Sequence, residues 1–291
     1  MTVAAPVTVA VGKCGNCGAP FPPASHVCAS CFQSVGFPNV RECEASAEIE
    51  ALQTRYEDAK ARATKAGAIA EFLALEAELV ANSSVVISMP LDVAHSIISD
   101  PRNIYTGYET LVDAGVRLAA ADSNDRDRRG VSGLLFGSYQ AEVKYGVLSL
   151  ADQGLPTYGD VFCRLKAEAI DKRTTFLEHN SFDFVKRHKL TVKKTRPPLG
   201  HRASWAGRHL LALAKLGHLL VPGMQLPQLQ QLVVTTDNKR REKDDFIEAI
   251  IFGSLNVHSI QAIWLAPGRT FNRFQTTQLE ATLDLFDRIK K

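Results

Sequence analysis

Hydrophobic positions follow a helical period in one long early segment of the chain. Between residues 43 and 82 there is no proline, and alanine, glutamate and leucine dominate. Apolar or small residues recur there at alternating steps of three and four, at Ile49, Leu52, Tyr56, Ala59, Ala63, Ala66, Ala70, Leu73, Ala77 and Val80. This spacing predicts a long helix, or a helical hairpin turning at Gly67. Its apolar seam would pack within the chain or support self-association through residues 49–80.

From residue 83 onward the pattern changes to short apolar runs separated by amphipathic stretches and turns. Strands are predicted at residues 84–89, 144–150, 158–165, 173–177, 231–236, 246–252 and 259–265. Helices are predicted at residues 91–99, 203–221 and 275–289, and residues 122–130 read as a charged loop. Because strands and helices do not alternate regularly, the pattern predicts an α+β domain over residues 83–291.

Four of the six cysteines fall in one short segment near the start. They form two CxxC pairs, Cys14 with Cys17 and Cys28 with Cys31, ten residues apart. Two such pairs supply a tetrahedral shell of four sulfurs, which is the usual structural zinc site. The spacing predicts a zinc ribbon over residues 13–42 with Zn²⁺ as a structural cofactor, and a redox-active CxxC is the weaker alternative. Four thiolates leave no open position for catalysis at the metal.

Composition and charge restrict the class of protein. The chain has 291 residues, is 45% hydrophobic and 22% charged, and has a net charge of +3. These values are typical of a globular protein, and the charge alone does not indicate a nucleic-acid partner. Residues 1–12 have no basic n-region and predict a flexible start. With the clustered cysteines and no long apolar span, this favours a cytoplasmic protein without membrane association, although delivery into another cell stays open.

Familiar catalytic signatures do not occur. No GxGxxG follows a predicted strand, and there is no Walker A, HExxH or GxSxG sequence. Any enzymatic activity therefore has to depend on residues spread along the chain.

Short pieces between residues 105 and 253 keep the order and spacing of a known family. They are Tyr105 with Glu109-Thr110, Asp125-Arg126, Leu135-Phe136-Gly137 with Tyr139, Lys144-Tyr145-Gly146, Tyr158-Gly159, Arg164-Leu165-Lys166, Arg173-Thr174-Thr175-Phe176, Ser181, and Asp245-Phe246-Ile247-Glu248-Ala249 with Gly253. Together they resemble a bacterial family of ADP-ribosyltransferase-like proteins. The resemblance implies a split β-sheet with NAD⁺ in the cleft between its halves.

The resemblance implies a mono-ADP-ribosyltransferase of toxin or effector type. Such an enzyme cleaves the nicotinamide–ribose bond of NAD⁺ and transfers ADP-ribose to a protein or nucleic acid. Glu248 would be the catalytic residue, because a fixed carboxylate stabilises the positive charge that develops on the ribose. The alternative is that Glu248 lies on the solvent face of an alternating strand. An antitoxin or chaperone is a further possible partner.

Most candidate NAD⁺-binding residues come from the same pieces, and His95 and Arg117 lie outside them. Tyr145 and Tyr158 each precede a glycine, so that a ring could stack on nicotinamide while the cofactor approaches the backbone, although core packing explains either ring as well. The other candidates are Lys144, Thr175, Ser181, His95 and Arg117, each of which could instead be an ordinary surface or strand residue.

One feature departs from the family pattern. Transferases of this superfamily carry an arginine or histidine on the first core strand, but residues 83–90 contain no basic residue. His95 or Arg102 would have to substitute. If neither does, the fold could persist without activity.

A non-catalytic protein is the competing hypothesis. Basic residues are concentrated at 186–196 and 239–241, and zinc ribbons often bind nucleic acids. The ribbon itself has few basic residues, which weakens this reading. A scaffold assembled through the predicted helix is the third possibility.

Overall fold

The computed structural model describes residues 12–107, 123–193 and 196–290, with the backbone alone for 123–127. Arg117, Glu109-Thr110 and Lys194 lie outside the described residues.

The N-terminal segment is a small two-stranded unit. Strands β1 (Gly12–Lys13) and β2 (Pro20–Phe21) pair in antiparallel fashion. The first CxxC turn connects β1 to β2, the second follows β2, and a short helix, α1 (Pro38–Cys43), comes next. Cys43 is buried and unpaired, as is Cys163 on a later strand.

Residues 43–82 form two helices, α2 (Ser46–Lys65) and α3 (Ile69–Asn82). The break falls at Gly67, whose φ of +76° is a left-handed conformation that glycine adopts without strain. Helix α2 buries Leu52, Tyr56, Ala59 and Ala63, and α3 buries Phe72, Leu75 and Leu79.

The predicted seam is therefore not continuous across the two helices. Its members Leu52, Tyr56, Ala59 and Ala63 are buried within the chain. Its members Ile49, Leu73 and Val80 are about half exposed. Those three side chains are the large apolar seam residues that a second copy could reach. Self-association through residues 49–80 remains a prediction.

The main sheet has seven antiparallel strands in the order β11-β5-β3-β4-β10-β6-β7. Their bounds are β3 (Ser84–Met89), β4 (Val143–Ser149), β5 (Val161–Leu165), β6 (Thr174–Leu177), β7 (Arg202–Ser204), β10 (Glu248–Phe252) and β11 (Ile260–Leu265). Strands β8 (Val234–Thr235) and β9 (Asp245–Phe246) form a separate pair. The fold class is thus mixed α+β with a large antiparallel sheet.

Pairing along β3 changes partner part-way. Ser84–Val86 pair with β4, and Val86–Met89 pair with β5. Where a split sheet was expected, hydrogen bonds join all seven strands through β3. The two halves of the sheet separate only beyond Val86.

The remaining helices surround the sheet. They are α4 (Leu91–Ser99), α5 (Ser123–Phe136), α6 (Ala167–Ile170), α7 (Ser181–Arg187), α8 (Arg208–Leu216), α9 (Leu226–Gln231) and α10 (Arg273–Lys290). Helix α8 packs on α2 and α3, and α10 packs on α4.

Several predicted strands are shorter or divided, as at 158–165, 231–236 and 246–252, and two predicted elements differ from the structure in type. Residues 123–130 belong to helix α5 rather than to a charged loop, because the following turns bury Ser132, Leu135 and Phe136 on one face. The predicted helix at 203–221 begins only at Arg208, because Arg202–Ser204 pair with β6 as strand β7.

Among the described residues, apolar side chains form two cores besides a small cluster of Cys14, Phe21 and Cys28 in the N-terminal unit. The larger one combines α2, α3, α4, α8 and α10 with the sheet, and its fully buried members include Phe72, Phe162 and Phe176. The smaller one, here called the β10 cluster, contains Leu135, Phe136, Tyr139, Val143, Leu177, Phe184, Leu190, Ile250 and Phe252. Ala24 and Phe37 from the N-terminal unit pack against the β10 cluster. The cysteine-bearing unit is thus joined to the sheet through an apolar contact.

Candidate functional site

A cavity of about 310 Å³ opens where β3 and β4 separate. Strands β3, β4 and β10 contribute its floor, and α5 and the start of α7 contribute its sides. Its polar and aromatic lining residues are Ser88, Tyr105, Thr106, Arg128, Ser132, Lys144, Tyr145, Tyr158, Asn180, Ser181, Phe182, Arg241, Phe246 and Glu248. A concave site with a few convergent polar groups is typical of small-molecule binding.

Glu248 is the first residue of β10 and lines this cavity. It is 9% exposed, and its Oε2 accepts hydrogen bonds from the backbone N–H of Ser181, at 2.9 Å, and from the Ser181 hydroxyl. Burial raises the pKa of Glu248 to about 7, against the lowering effects of the Ser181 bonds and of Arg128. The carboxyl group is therefore poised between its two protonation states at neutral pH, as many catalytic acids and bases are.

Both candidate tyrosines face the same cavity. The Tyr145 hydroxyl lies 2.9 Å from the Ser132 hydroxyl. The Tyr158 ring meets Phe246 edge-on at a centroid distance of 6.3 Å, and the Arg241 guanidinium lies 4.7 Å from the Tyr158 centroid. Burial, followed by the charge of Glu248, raises the pKa of Tyr158 to about 12. The Tyr158 phenol is therefore neutral at physiological pH.

The glycine after each tyrosine lies against β3. A Cβ on Gly146 would approach the Val85 side chain at 2.9 Å and the Val86 carbonyl oxygen at 3.0 Å. A Cβ on Gly159 would overlap the backbone carbonyl of Met89. Both glycines are therefore required by strand packing, and Gly146 also lines the cavity, where the sequence suggested that a glycine makes room for a cofactor.

Lys144 and Ser181 also line the cavity. Lys144 is 6% exposed, and its Nζ lies 3.3 Å from the Glu142 carbonyl oxygen. Ser181 is occupied in holding Glu248. Its position beside the carboxylate makes it a residue that orients Glu248.

Two other candidates lie away from the cavity. The Thr175 hydroxyl is buried on β6, where it accepts a hydrogen bond from Asn39 Nδ2 at 3.3 Å. His95 lies on α4, and its Nδ1 is 2.9 Å from the Thr282 hydroxyl on α10. Both residues make packing contacts away from the cavity, and their assignment to NAD⁺ binding stays a prediction. Arg117 lies outside the described residues.

Sequence reasoning missed the two arginines of the cavity. Arg241 was seen only as part of a basic cluster, yet its Nε donates to the Thr157 carbonyl at 3.0 Å and its guanidinium stacks on Tyr158. Arg128 fell in the predicted loop that is helix α5. Strand β3 has no basic residue, as the sequence indicated. Among the described residues, the guanidinium groups that line the cavity are those of Arg128 and Arg241.

The four N-terminal cysteines lie close together and could hold a zinc ion. Their sulfurs are all within 4.8 Å of one another, with Cys14–Cys31 and Cys17–Cys28 separations of 3.7 Å. A tetrahedral zinc site with Zn–S bonds of about 2.3 Å requires sulfur separations of about 3.8 Å. The sulfur geometry therefore fits zinc.

Backbone N–H groups also face these sulfurs. The N–H groups of Cys31 and Ser30 lower the pKa of Cys28. The N–H of Gln33, then the Asn16 side chain, lower the pKa of Cys31 to about 6. At Cys17 the N–H of Ala19 also lowers the pKa of the thiol. Hydrogen bonds with Cys31 and the other sulfurs, together with burial, outweigh that effect and raise the pKa of Cys17 to about 12. Two sulfurs are thus stabilised as thiolates, the form that binds metal.

His26 is not a member of the cysteine group. Its ring stacks on Phe37 at 5.3 Å and meets Phe252 of β10 edge-on at 5.6 Å. Arg41 of α1 stabilises the same unit. Its Nη1 donates hydrogen bonds to the carbonyl oxygens of Ser25, at 2.9 Å, and Val35, at 3.1 Å. The ribbon-like unit is therefore fixed to the end of β10 opposite Glu248.

Comparisons with known proteins provide no family. The chain matches no protein-family model, and no curated protein is significantly similar to it. Within the described residues, no helix has the length and apolar character needed to cross a bilayer.

Proposed function

We propose that the protein is a mono-ADP-ribosyltransferase acting on NAD⁺ through the cavity at Glu248. The observation that carries the proposal is the buried carboxyl group of Glu248, held by Ser181 in a cavity that two tyrosines also line. A solvent-exposed Glu248 far from those tyrosines would have removed its basis.

The chemistry assigned to this site is a substitution at the ribose C1′. The bond from C1′ to the nicotinamide nitrogen breaks, and nicotinamide leaves as a neutral molecule with the bonding electrons. A nucleophilic atom of the acceptor forms the new bond to C1′ and loses its proton. Positive charge on the ribose grows during bond cleavage, and the Glu248 carboxylate is positioned to stabilise it.

The cavity also supplies groups suited to the remainder of a dinucleotide. Tyr145 and Tyr158 present aromatic surface for a nicotinamide ring. Arg128 and Arg241 present guanidinium groups, which bind phosphate oxygens in bidentate geometry. The transferase family positions NAD⁺ with a basic residue on the first core strand, and β3 has none. We assign that role to Arg128 and Arg241.

The test is transfer of labelled ADP-ribose from NAD⁺ to whole-cell lysate. The wild-type chain and Glu248→Gln are compared with Glu168→Gln, an exposed glutamate on α6 that serves as the matched control. We expect labelling by wild type and control, and a loss of about 10²-fold or more in Glu248→Gln, the usual result of removing one preorganised electrostatic group. Equal labelling by all three folded proteins, or none by any, would contradict the proposal.

The nature of the acceptor is open between protein and nucleic acid. Lys186, Arg187, Lys189 and Lys193 are exposed along one segment, and an exposed basic segment favours a phosphate-rich partner. Protease and nuclease digestion of the labelled product separates the two classes. If binding without catalysis were the whole function, nucleic-acid affinity would fall steeply with salt and on Lys193→Glu, and no NAD⁺ would be consumed.

We also propose that zinc occupies the Cys14, Cys17, Cys28 and Cys31 group as a structural ion. The role follows from four thiolate ligands, which leave no site for water or substrate. A toxin or effector role, an antitoxin or chaperone partner, and a cytoplasmic site of action belong with the transferase proposal as predictions.

A further inference from the structure

A second group of metal-ligating side chains lies outside the cavity and outside the cysteine group. Glu178 follows β6, His188 follows α7, and His201 precedes β7. One ligand atom from each residue lies within 4.8 Å of the others. We propose that Glu178, His188 and His201 form a second site for a transition-metal ion, with Zn²⁺ as the fitting occupant.

The ligand chemistry supports this assignment. Two imidazoles and one carboxylate are a common donor set for Zn²⁺, and three protein ligands leave a fourth position open to water. Bonds of about 2.0–2.2 Å in a tetrahedral site need ligand separations of roughly 3.4 Å. The three ligand atoms lie within 4.8 Å of one another, and an ion bound between them would replace the direct contact of His201 with Glu178.

Both oxygens of the Glu178 carboxylate have side-chain partners. Arg55 Nη2 donates to Glu178 Oε1 at 2.6 Å, while His201 Nδ1 contacts the other oxygen, Oε2. Arg55 thereby fixes the carboxylate as an outer-shell partner would. On metal binding, His201 would present the Nδ1 lone pair to the ion and carry its proton on Nε2.

The two histidines are held face to edge by their surroundings. Their ring centroids are 4.7 Å apart at an interplanar angle of 66°, and the Phe184 ring lies 4.5 Å from His188. Gly200, with φ of +77°, lets the chain before His201 pass the backbone of Ala51, which a Cβ would approach to 2.7 Å. Both rings are half-buried, so solvent reaches the group.

The site would connect to the cavity without depending on the transferase proposal. Glu178 follows β6 and lies three residues before Ser181, the first residue of α7, and Ser181 holds Glu248. A metal ion at Glu178 would therefore restrain the segment that positions Glu248. Metal binding is measurable whether or not NAD⁺ is consumed.

The test is a Co²⁺ titration of the untagged full chain with zinc kept in the cysteine group. We expect one further equivalent of Co²⁺ with visible d–d absorption and no intense thiolate-to-cobalt charge-transfer band, because the new ligands are nitrogen and oxygen. His188→Gln and His201→Gln should each weaken this binding by about tenfold or more. The matched control, His218→Gln, changes an exposed histidine outside the group and should bind as wild type does.

Two outcomes would overturn the site. One is Co²⁺ uptake that is the same in all four proteins or absent from the wild type. The other is a spectrum dominated by thiolate charge transfer, which means exchange at the cysteines. If the variants fail to fold, Zn²⁺ titration of the wild type followed by NMR decides: two of the eight histidines must shift, and a different number contradicts the assignment.

Discussion

The Glu248 carboxyl group lies at a buried position where an apolar or amide side chain would make the folded protein more stable. Its neighbours along β10, Ala249 to Phe252, are all buried and apolar. Burial disfavours the charged form, which is why the pKa rises to about 7. A residue that costs stability at its own position is a candidate for function.

This cost predicts a pH-dependent effect of Glu248→Gln. The folded pKa of about 7 lies above the ordinary glutamate value of about 4.3, so between these pH values the folded state binds more protons than the unfolded state. The wild-type protein therefore loses stability relative to the Glu248→Gln variant as pH rises through that window. We expect near-equal melting temperatures at pH 4.5, and at pH 8 a glutamine variant more stable by up to about 3 kcal/mol.

Thermal melts of both proteins across this range provide the measurement. Glu168→Gln, at an exposed position, should show no such trend. A variant that is less stable than wild type at pH 8 would contradict the burial argument.

Individual residues of the cavity were predictable only in part. The sequence pointed to Tyr145, Tyr158, Lys144, Ser181 and Glu248, and the structure brings all five to one cavity. The sequence could not show that Thr175 and His95 lie away from the cavity, because their contacts with Asn39 and Thr282 are tertiary. A contribution of these seven residues to NAD⁺ binding or catalysis stays a prediction.

At the scale of elements, clear periodicity made the boundaries predictable. The strand at Ser84–Met89 and the helix at Leu91–Ser99 agree with the sequence prediction to the residue. The helix from Ser123 was missed because its charges suggested a loop, although Asp125 precedes Arg128 and Arg129 at the spacing that favours helical ion pairs. Strand β7 was missed because three residues have too little pattern to detect.

The close packing of Gly159 on β3 gives a prediction at this scale. Gly159→Ala should destabilise the protein by about 2 kcal/mol or more, since the new Cβ would overlap the Met89 backbone and force β3 or the Tyr158 turn to move. Gly130→Ala is the control, because nothing lies within 4 Å of its Cβ and alanine is the better helix former in α5. Chemical denaturation measures both. Equal stability of the two variants would refute the packing argument.

At the scale of the molecule, the cysteine-bearing unit and the sheet form one apolar contact. His26 and Phe37 reach Phe252, and Asn39 Nδ2 donates to the Ile250 carbonyl at 3.2 Å. Sequence reasoning could locate the unit by its cysteines but not its docking site, because the partners lie more than 200 residues away in the chain. The unit is therefore positioned to stabilise β10.

Removal of zinc should consequently affect more than the N-terminal unit. Chelation under reducing conditions is expected to lower the melting temperature and to increase hydrogen exchange in β10 and β4 as well as in residues 12–43, because the docked face loses its fold without metal. Readdition of Zn²⁺ should restore protection. An increase in hydrogen exchange confined to residues 12–43 would show that the sheet does not depend on the cysteine-bearing unit.

The most direct test of the central claim is nicotinamide release from NAD⁺ by the purified chain. Hydrolysis with water as the acceptor needs no knowledge of the biological target, so it isolates the role assigned to Glu248. The account predicts release by wild type and Glu168→Gln, and a loss of about 10²-fold in a folded Glu248→Gln protein. Release that is unchanged in Glu248→Gln would contradict the account.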